Sequence, residues 1–180
     1  MSIEEKVVFG QSFEAVLRAH RPLEADLVDG LKQLGIPPDG PFAVAYPLGT
    51  YMAFLALFAR VRYRDLDPMS AYTAIGQQFI RGYESTLIGR AMLAALRLIG
   101  PRRTVQRFTR SFRTANNYSE LRYTELGPNE VEVWCNYVAQ PGFYRGLLLE
   151  GINVAGGKNT EVVFVGKEGD SALYRIRWSA

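Results

Sequence analysis

Apolar positions recur every three or four residues through roughly the first two thirds of the chain and at every second residue through most of the rest, which predicts helices first and strands after. The segment IEEKVVF at 3–9 reads as a short strand or a lead-in. Ser12 is placed to cap a short helix carrying Phe13, Val16 and Leu17, and Pro22 suits the start of a second helix, LEADLVDGLKQLG, closed by Gly35. IPPDGP then forbids helix and makes a turn. From Gly40 to Ala59 no residue is charged. Gly40, Pro41, Pro47 and Gly49 interrupt that run, and its continuous part, Thr50 to Ala59, covers about ten residues where a membrane span needs about twenty. It reads instead as a helix buried on nearly every side, with Tyr51, Met52, Phe54, Leu55, Leu57 and Phe58 as core or as one wall of an apolar cavity.

Asp67-Pro68 is an N-cap followed by a proline at the first helical position. The helix it opens runs on through Gly82 or restarts near Ser85, and Gly100-Pro101 ends that second piece and begins another. From Pro101 to about Arg113 one two-sided helix is predicted, with Val105, Phe108 and Phe112 on one stripe and Arg103, Arg107 and Arg110 opposite. After Asn117 the period becomes two: SELRYTELGPNEVEVWCNY reads as two strands around Gly127-Pro128-Asn129, with Val131, Val133 and Cys135 on one face. Pro141 opens a helix ended by Gly156-Gly157, and a second hairpin turns at Lys167-Glu168-Gly169-Asp170. The fold class is therefore α+β, a helical layer packed on a four-stranded antiparallel sheet with a β-β-α-β-β ending. Without an internal repeat or a linker, residues 1–180 are expected to form a single domain.

Charge changes this picture more than composition does. The formal net charge is +3, but residues 1–50 carry −3, residues 60–118 carry +8 and residues 119–180 carry −2. Between Gly76 and Tyr118 stand eight arginines and one acid, Glu84, which is the natural partner for an inward Arg81 or Arg90. Arg103, Arg107 and Arg110 then form the face available to a partner. A polyanion, an acidic protein, a nucleotide and plain solvation all suit such a face, and nucleic acid is not favoured because no base-reading motif accompanies it.

Catalytic and metal chemistry find little support. One Cys and one His fall short of a zinc set, and no phosphate-cradling glycine motif is present. Cys135 reads as a buried inert thiol, which favours a reducing, cytoplasmic compartment, and His20 as a surface or helix-end residue. Glu130 and Glu132 read as a solvated strand face. MSIEEKVVFG carries acids where a secretory signal would be basic.

Gly82-Tyr83-Glu84-Ser85-Thr86 with Gly89-Arg90, Gly100-Pro101-Arg102-Arg103, and Phe112-Arg113-Thr114 with Asn117-Tyr118 resemble a family of cytoplasmic proteins abundant in myxobacteria and known as a domain of unknown function. More distantly, the strand-strand-helix-strand-strand ending and FYRGLLLEGINV are similar to the 4-vinyl reductase domain, the haem-dependent nitric-oxide-binding domain and the transport-particle subunits of vesicle tethering. That resemblance implies an apolar pocket between helices and sheet, lined by Tyr51, Phe54, Phe58, Phe79, Tyr83, Met92, Leu96, Phe143 and Trp178, a set that is otherwise plain core. The cysteines of the vinyl reductase pattern are replaced by Val163 or Val165 and Leu173, and the mid-chain histidine of the haem family has no counterpart, so neither metal nor cofactor carries over. The expectation is a non-enzymatic ligand-sensing or signalling-adaptor domain for an apolar small molecule. The alternative is an interaction scaffold, a homodimer or the partner of an acidic protein, using Arg103, Arg107 and Arg110.

Overall fold

The computed structural model describes residues 5–179 and confirms the α+β class. A short strand β1 (Val7–Phe9) leads into α1 (Gly10–Ala19) and α2 (Ala25–Gln33). It pairs antiparallel with β2 (Ala45–Pro47), which the sequence reading left as part of an irregular run. Helix α1 starts two residues ahead of Ser12, whose hydroxyl donates instead to Ala115 O at 3.2 Å. Helix α2 starts three residues after Pro22, and Gly35 follows it with φ +70°. The uncharged run becomes α3 (Leu48–Arg62), buried along Tyr51, Phe54, Leu55, Leu57 and Phe58. Among the described residues no helix is long and apolar enough to cross a membrane.

Helix α4 (Pro68–Tyr83) begins as the Asp67-Pro68 pair predicts, with the Asp67 carboxylate accepting the Ser70 N–H at 3.1 Å. It lies at the centre of the helical layer because glycines let two neighbours approach it. A Cβ at Gly76 would collide with Phe143 O, one at Gly146 with Thr73 O, and one at Gly82 with Ala15 O. After a turn capped by Thr86, whose Oγ1 accepts the Gly89 N–H at 3.0 Å, α5 (Leu87–Gln106) runs back and kinks at Gly100, φ 78° and ψ 170°. Helix α6 (Phe108–Arg113) follows after a break at Arg107, φ −106° and ψ 3°. The single helix expected from Pro101 to Arg113 is thus two pieces.

The last third forms β3 (Leu121–Gly127), β4 (Glu130–Cys135), α7 (Pro141–Val154), β5 (Lys158–Glu168) and β6 (Ser171–Ser179), in an antiparallel sheet of order β3-β4-β6-β5. Register follows alternation: Val131, Val133 and Cys135 stand opposite Ile176, Tyr174 and Ala172, all buried, beneath α7. The outer face is an ion-pair ladder, Glu130 with Arg177 and Glu132 with Arg175, each at 2.8 Å, so these carboxylates are paired across strands. Helix α7 is tied to the sheet by Arg145 Nε donating to Val162 O at 2.8 Å and by the Tyr174 hydroxyl donating to Pro141 O at 3.0 Å.

Candidate functional site: an apolar cavity between the helices

Helices α3 to α7 leave between them a cavity of about 80 Å³. Leu48, Tyr51, Met52 and Leu55 of α3 line one side, Phe79, Ile80 and Tyr83 of α4 another, and Met92, Leu93 and Leu96 of α5 a third. Phe108, Ser111 and Phe112 of α6 and Phe143, Tyr144 and Leu147 of α7 complete it, with Val8 and the segment Thr114–Asn116 at one end. No lining residue is an acid, a base, a histidine or a cysteine.

The polar side chains of the wall are hydroxyls and two carboxamides, Asn116 and Gln140. Tyr83 Oη lies 3.0 Å from Thr114 Oγ1, and Tyr144 Oη lies 3.4 Å from Ser119 Oγ. Tyr51 Oη is buried with no partner among the described residues. Burial holds the Tyr51 and Tyr144 phenols well above their ordinary pKa and pushes Tyr118 up to about 12. Burial also raises Tyr83, against a lowering contribution from Thr114. The wall is therefore neutral, and a chemically inert one: nothing in it exchanges a proton near neutral pH.

Six of the residues expected to line a pocket do so: Tyr51, Phe79, Tyr83, Met92, Leu96 and Phe143. Phe54 and Phe58 do not. Phe54 turns toward α1, where its ring lies 4.8 Å from Phe13, and Phe58 sits beyond the cavity with its ring 4.9 Å from His20. Trp178 is remote, at the end of β6, where its backbone N–H donates to Asn129 O at 3.1 Å. The sequence reading missed Tyr118 and Tyr144. The signal for Tyr144 was its place beside Phe143 in a helix whose partner faces were not yet known.

Three further expectations resolve differently. Glu84 pairs with Arg97 at 2.5 Å, and Arg81 pairs with Glu150 of α7 at 3.1 Å. Arg90 is exposed and has no partner among the described residues. Glu84 lies at the C-cap of α4, so its side chain leaves the helix toward the returning α5, whereas Arg81 faces α7. His20 ends α1 as expected but is buried, with Nδ1 at 2.7 Å from Val16 O and Nε2 at 2.8 Å from Tyr63 Oη. Arg103, Arg107 and Arg110 are exposed and unpaired among the described residues, but the break at Arg107 distributes them over α5, the joint and α6.

The cavity lies among the helices and no strand of the four-stranded sheet lines it, which corrects the expected pocket between helices and sheet; a helical layer packed on a four-stranded antiparallel sheet places the chain in the class of H-NOX-like folds. It superposes on an H-NOX protein from S. oneidensis in the Fe(II)NO ligation state with a TM-score of 0.70 and 13% identity, over 96% of this chain and 99% of that one. A mutant H-NOX protein from K. algicida, Fe(II) and unliganded, superposes with a TM-score of 0.61 and 15% identity, over 96% and 97% of the two chains. A mutant H-NOX from T. Tengcongensis gives 0.56 and 14%, over 86% and 87%. The chain belongs to the family described as Protein of unknown function (DUF2378), whose model matches residues 6–179. No curated protein matches it.

The fold raises the question of haem, and the residues do not fit it. His20 lies outside the cavity with both ring nitrogens engaged, and Cys135, its thiol pushed up to about 12 by burial, lies outside too. A tyrosinate ligand would require deprotonating phenols that burial keeps protonated. No cationic side chain lines the cavity to receive propionates, and about 80 Å³ is small against the roughly 300–1,000 Å³ of typical ligand pockets.

Proposed function

We propose that this chain is a non-enzymatic ligand-sensing domain of a reducing, cytoplasmic compartment, which takes up a small, mostly apolar molecule in the cavity between α3 and α7. The observation that carries the reading is the wall itself: aliphatic and aromatic side chains interrupted by a few hydroxyls and the carboxamides of Asn116 and Gln140, and by no ionisable group near neutrality. Such a surface binds by desolvation and shape and has no group with which to move a proton. The fold is shared with H-NOX proteins, one of them in an Fe(II)NO ligation state, which supports a ligand-sensing reading. The test is binding of apolar probes of about four to six non-hydrogen atoms to the purified protein, followed by native mass spectrometry and ligand-observed NMR. Binding is expected in the wild type and is expected to weaken about tenfold in Leu96→Phe, whose added ring volume enters the cavity. Absence of both a retained molecule and probe binding in the wild type would overturn the reading.

A second reading rests on a separate observation. The outward face of α5, formed by Leu87, Ala91, Ala94, Ala95 and Leu98, is apolar although exposed, with Leu87 85% and Leu98 88% accessible. A contiguous exposed apolar face of this kind ordinarily marks a site that a partner covers. With Arg90 on the same helix and the exposed Arg103, Arg107 and Arg110 following in the chain, none paired among the described residues, this stretch suits an acidic protein partner. Loss of such a partner on charge reversal at Arg103 and Arg107, at unchanged melting temperature, is the expected result.

A further inference from the structure

The cavity wall contains one polar atom that packing does not explain. Of the buried side-chain polar atoms that lack a partner among the described residues, Tyr51 Oη is the one in the cavity wall. The Tyr51 ring is fixed by apolar neighbours, with centroids 5.0 Å from Phe13, 5.8 Å from Phe54 and 6.0 Å from Phe143. A phenylalanine would meet those three rings equally well and would leave no buried donor unpaired. The other tyrosine hydroxyls of the wall are engaged elsewhere, Tyr83 with Thr114, Tyr144 with Ser119 and Tyr118 with Tyr144.

We propose that Tyr51 is the polar anchor of the cavity, its neutral O–H donating to the single acceptor oxygen of a small, uncharged and otherwise apolar ligand such as a ketone, aldehyde or ether. This rests on the reading of the cavity as a ligand site. The ligand is uncharged because no lining side chain supplies a counter-charge, and an ion stripped of water there would be uncompensated. Its hydrogen-bonding atom is an acceptor because burial keeps the phenol protonated and a donor. It is small because about 80 Å³ is near half of the roughly 150 Å³ cavity that takes benzene, which leaves room for about four to six non-hydrogen atoms once Met52 and Met92 adjust.

The test uses two molecules of one shape, cyclopentanone and methylenecyclopentane, which differ in the acceptor oxygen alone. Their dissociation constants are measured by ligand-observed NMR on the wild type and on Tyr51→Phe. Taking the ratio of ratios cancels the difference in hydration of the two probes. The preference for the ketone is expected to fall about three- to tenfold in Tyr51→Phe, with methylenecyclopentane binding unchanged. The carbonyl carbon of bound cyclopentanone is expected upfield of the ketone free in water, which accepts more than one hydrogen bond, and downfield of its bound position in Tyr51→Phe, where it accepts none from this residue. Binding of both probes with an unaltered ratio, and with the same bound carbonyl shift in wild type and Tyr51→Phe, would overturn the anchor and leave the cavity reading standing, with water as the partner of Tyr51. Failure of both probes to bind the wild type overturns the cavity reading and the anchor together.

Discussion

His20 shows how far one side chain can depend on its surroundings. It is 2% exposed, and its pKa is lowered from 6.5 chiefly by desolvation, with the Val16 carbonyl acting in the opposite sense. The folded protein therefore holds the ring neutral while the unfolded chain protonates it at ordinary pH. Unfolded chains bind more protons than folded ones below pH 6.5, so the contribution of His20 is complete above that pH and is lost as pH falls toward the folded value. Urea midpoints are expected to fall between pH 7 and pH 5, and the fall should shrink in His20→Gln; the lowered carboxylates Glu24, Asp67 and Glu125 titrate below this window. A second contrast is between two ion pairs. Glu150 is 12% exposed against Arg81, whereas Glu84 and Arg97 are 44% and 48% exposed. Arg81→Ala leaves a nearly buried carboxylate with only Gln77 at 3.5 Å and is expected to cost about 1–2 kcal/mol, less than a fully buried pair because the guanidinium is half in water. Glu84→Gln is expected to cost less than about 1 kcal/mol, in place of the larger penalty that a buried partnership with Arg81 or Arg90 would carry.

At the scale of elements, α4 is held by backbone approach as much as by side chains. Its crossing with α7 uses Gly76, Gly142 and Gly146, each facing a carbonyl of the other helix. A side chain there must push the helices apart, so Gly146→Ala is expected to destabilise by about 1–3 kcal/mol and Gly146→Leu to prevent folding, both measured by urea unfolding followed by circular dichroism. Gly100 differs: nothing lies within 4 Å of a Cβ placed on it, so Gly100→Ala tests the kink conformation alone, and a loss of about 1–3 kcal/mol is expected from φ 78° and ψ 170°. These two kinds of glycine also mark what the chain discloses by itself. Asp67-Pro68, Gly35, Gly156 and the alternation of Val131, Val133 and Cys135 act within a few residues, so the boundaries they set were legible. The pairing of β1 with β2, the choice of Glu150 for Arg81 and the break at Arg107 depend on segments far apart in sequence, and no local pattern records them. The cavity was half legible for the same reason: helical period places Tyr51 and Phe143 on inward faces, but it cannot tell which inward face meets a gap and which, like that of Phe54, meets another ring.

Across the whole molecule, charge and apolar surface are separated along one edge. From Ser85 to Ser119 the chain carries seven arginines and no acid. Three of the seven are engaged within the protein: Arg97 is paired with Glu84 and Arg102 with Glu125 across to β3, while Arg113 keeps its charge and donates to the carbonyls of Asn117 and Ser119. Arg90, Arg103, Arg107 and Arg110 remain exposed, as do Leu87 and Leu98 of the same stretch. Because the last three arginines touch no acid among the described residues, replacing all three by Glu removes no internal contact, although it reverses the formal net charge from +3 to −3. The melting temperature of the triple variant is expected to stay within a few degrees of wild type, and probe binding in the cavity is expected to be unchanged. Affinity for an acidic polypeptide such as polyglutamate should be lost, and in the wild type it should fall steeply with salt, since exposed charges separated by more than about 10 Å are screened at 0.1 M. If the triple variant instead loses the cavity probe while keeping its fold, the arginine edge and the cavity are coupled through α5, the one helix that lines the cavity with Met92, Leu93 and Leu96 and presents Leu87 and Leu98 to the outside.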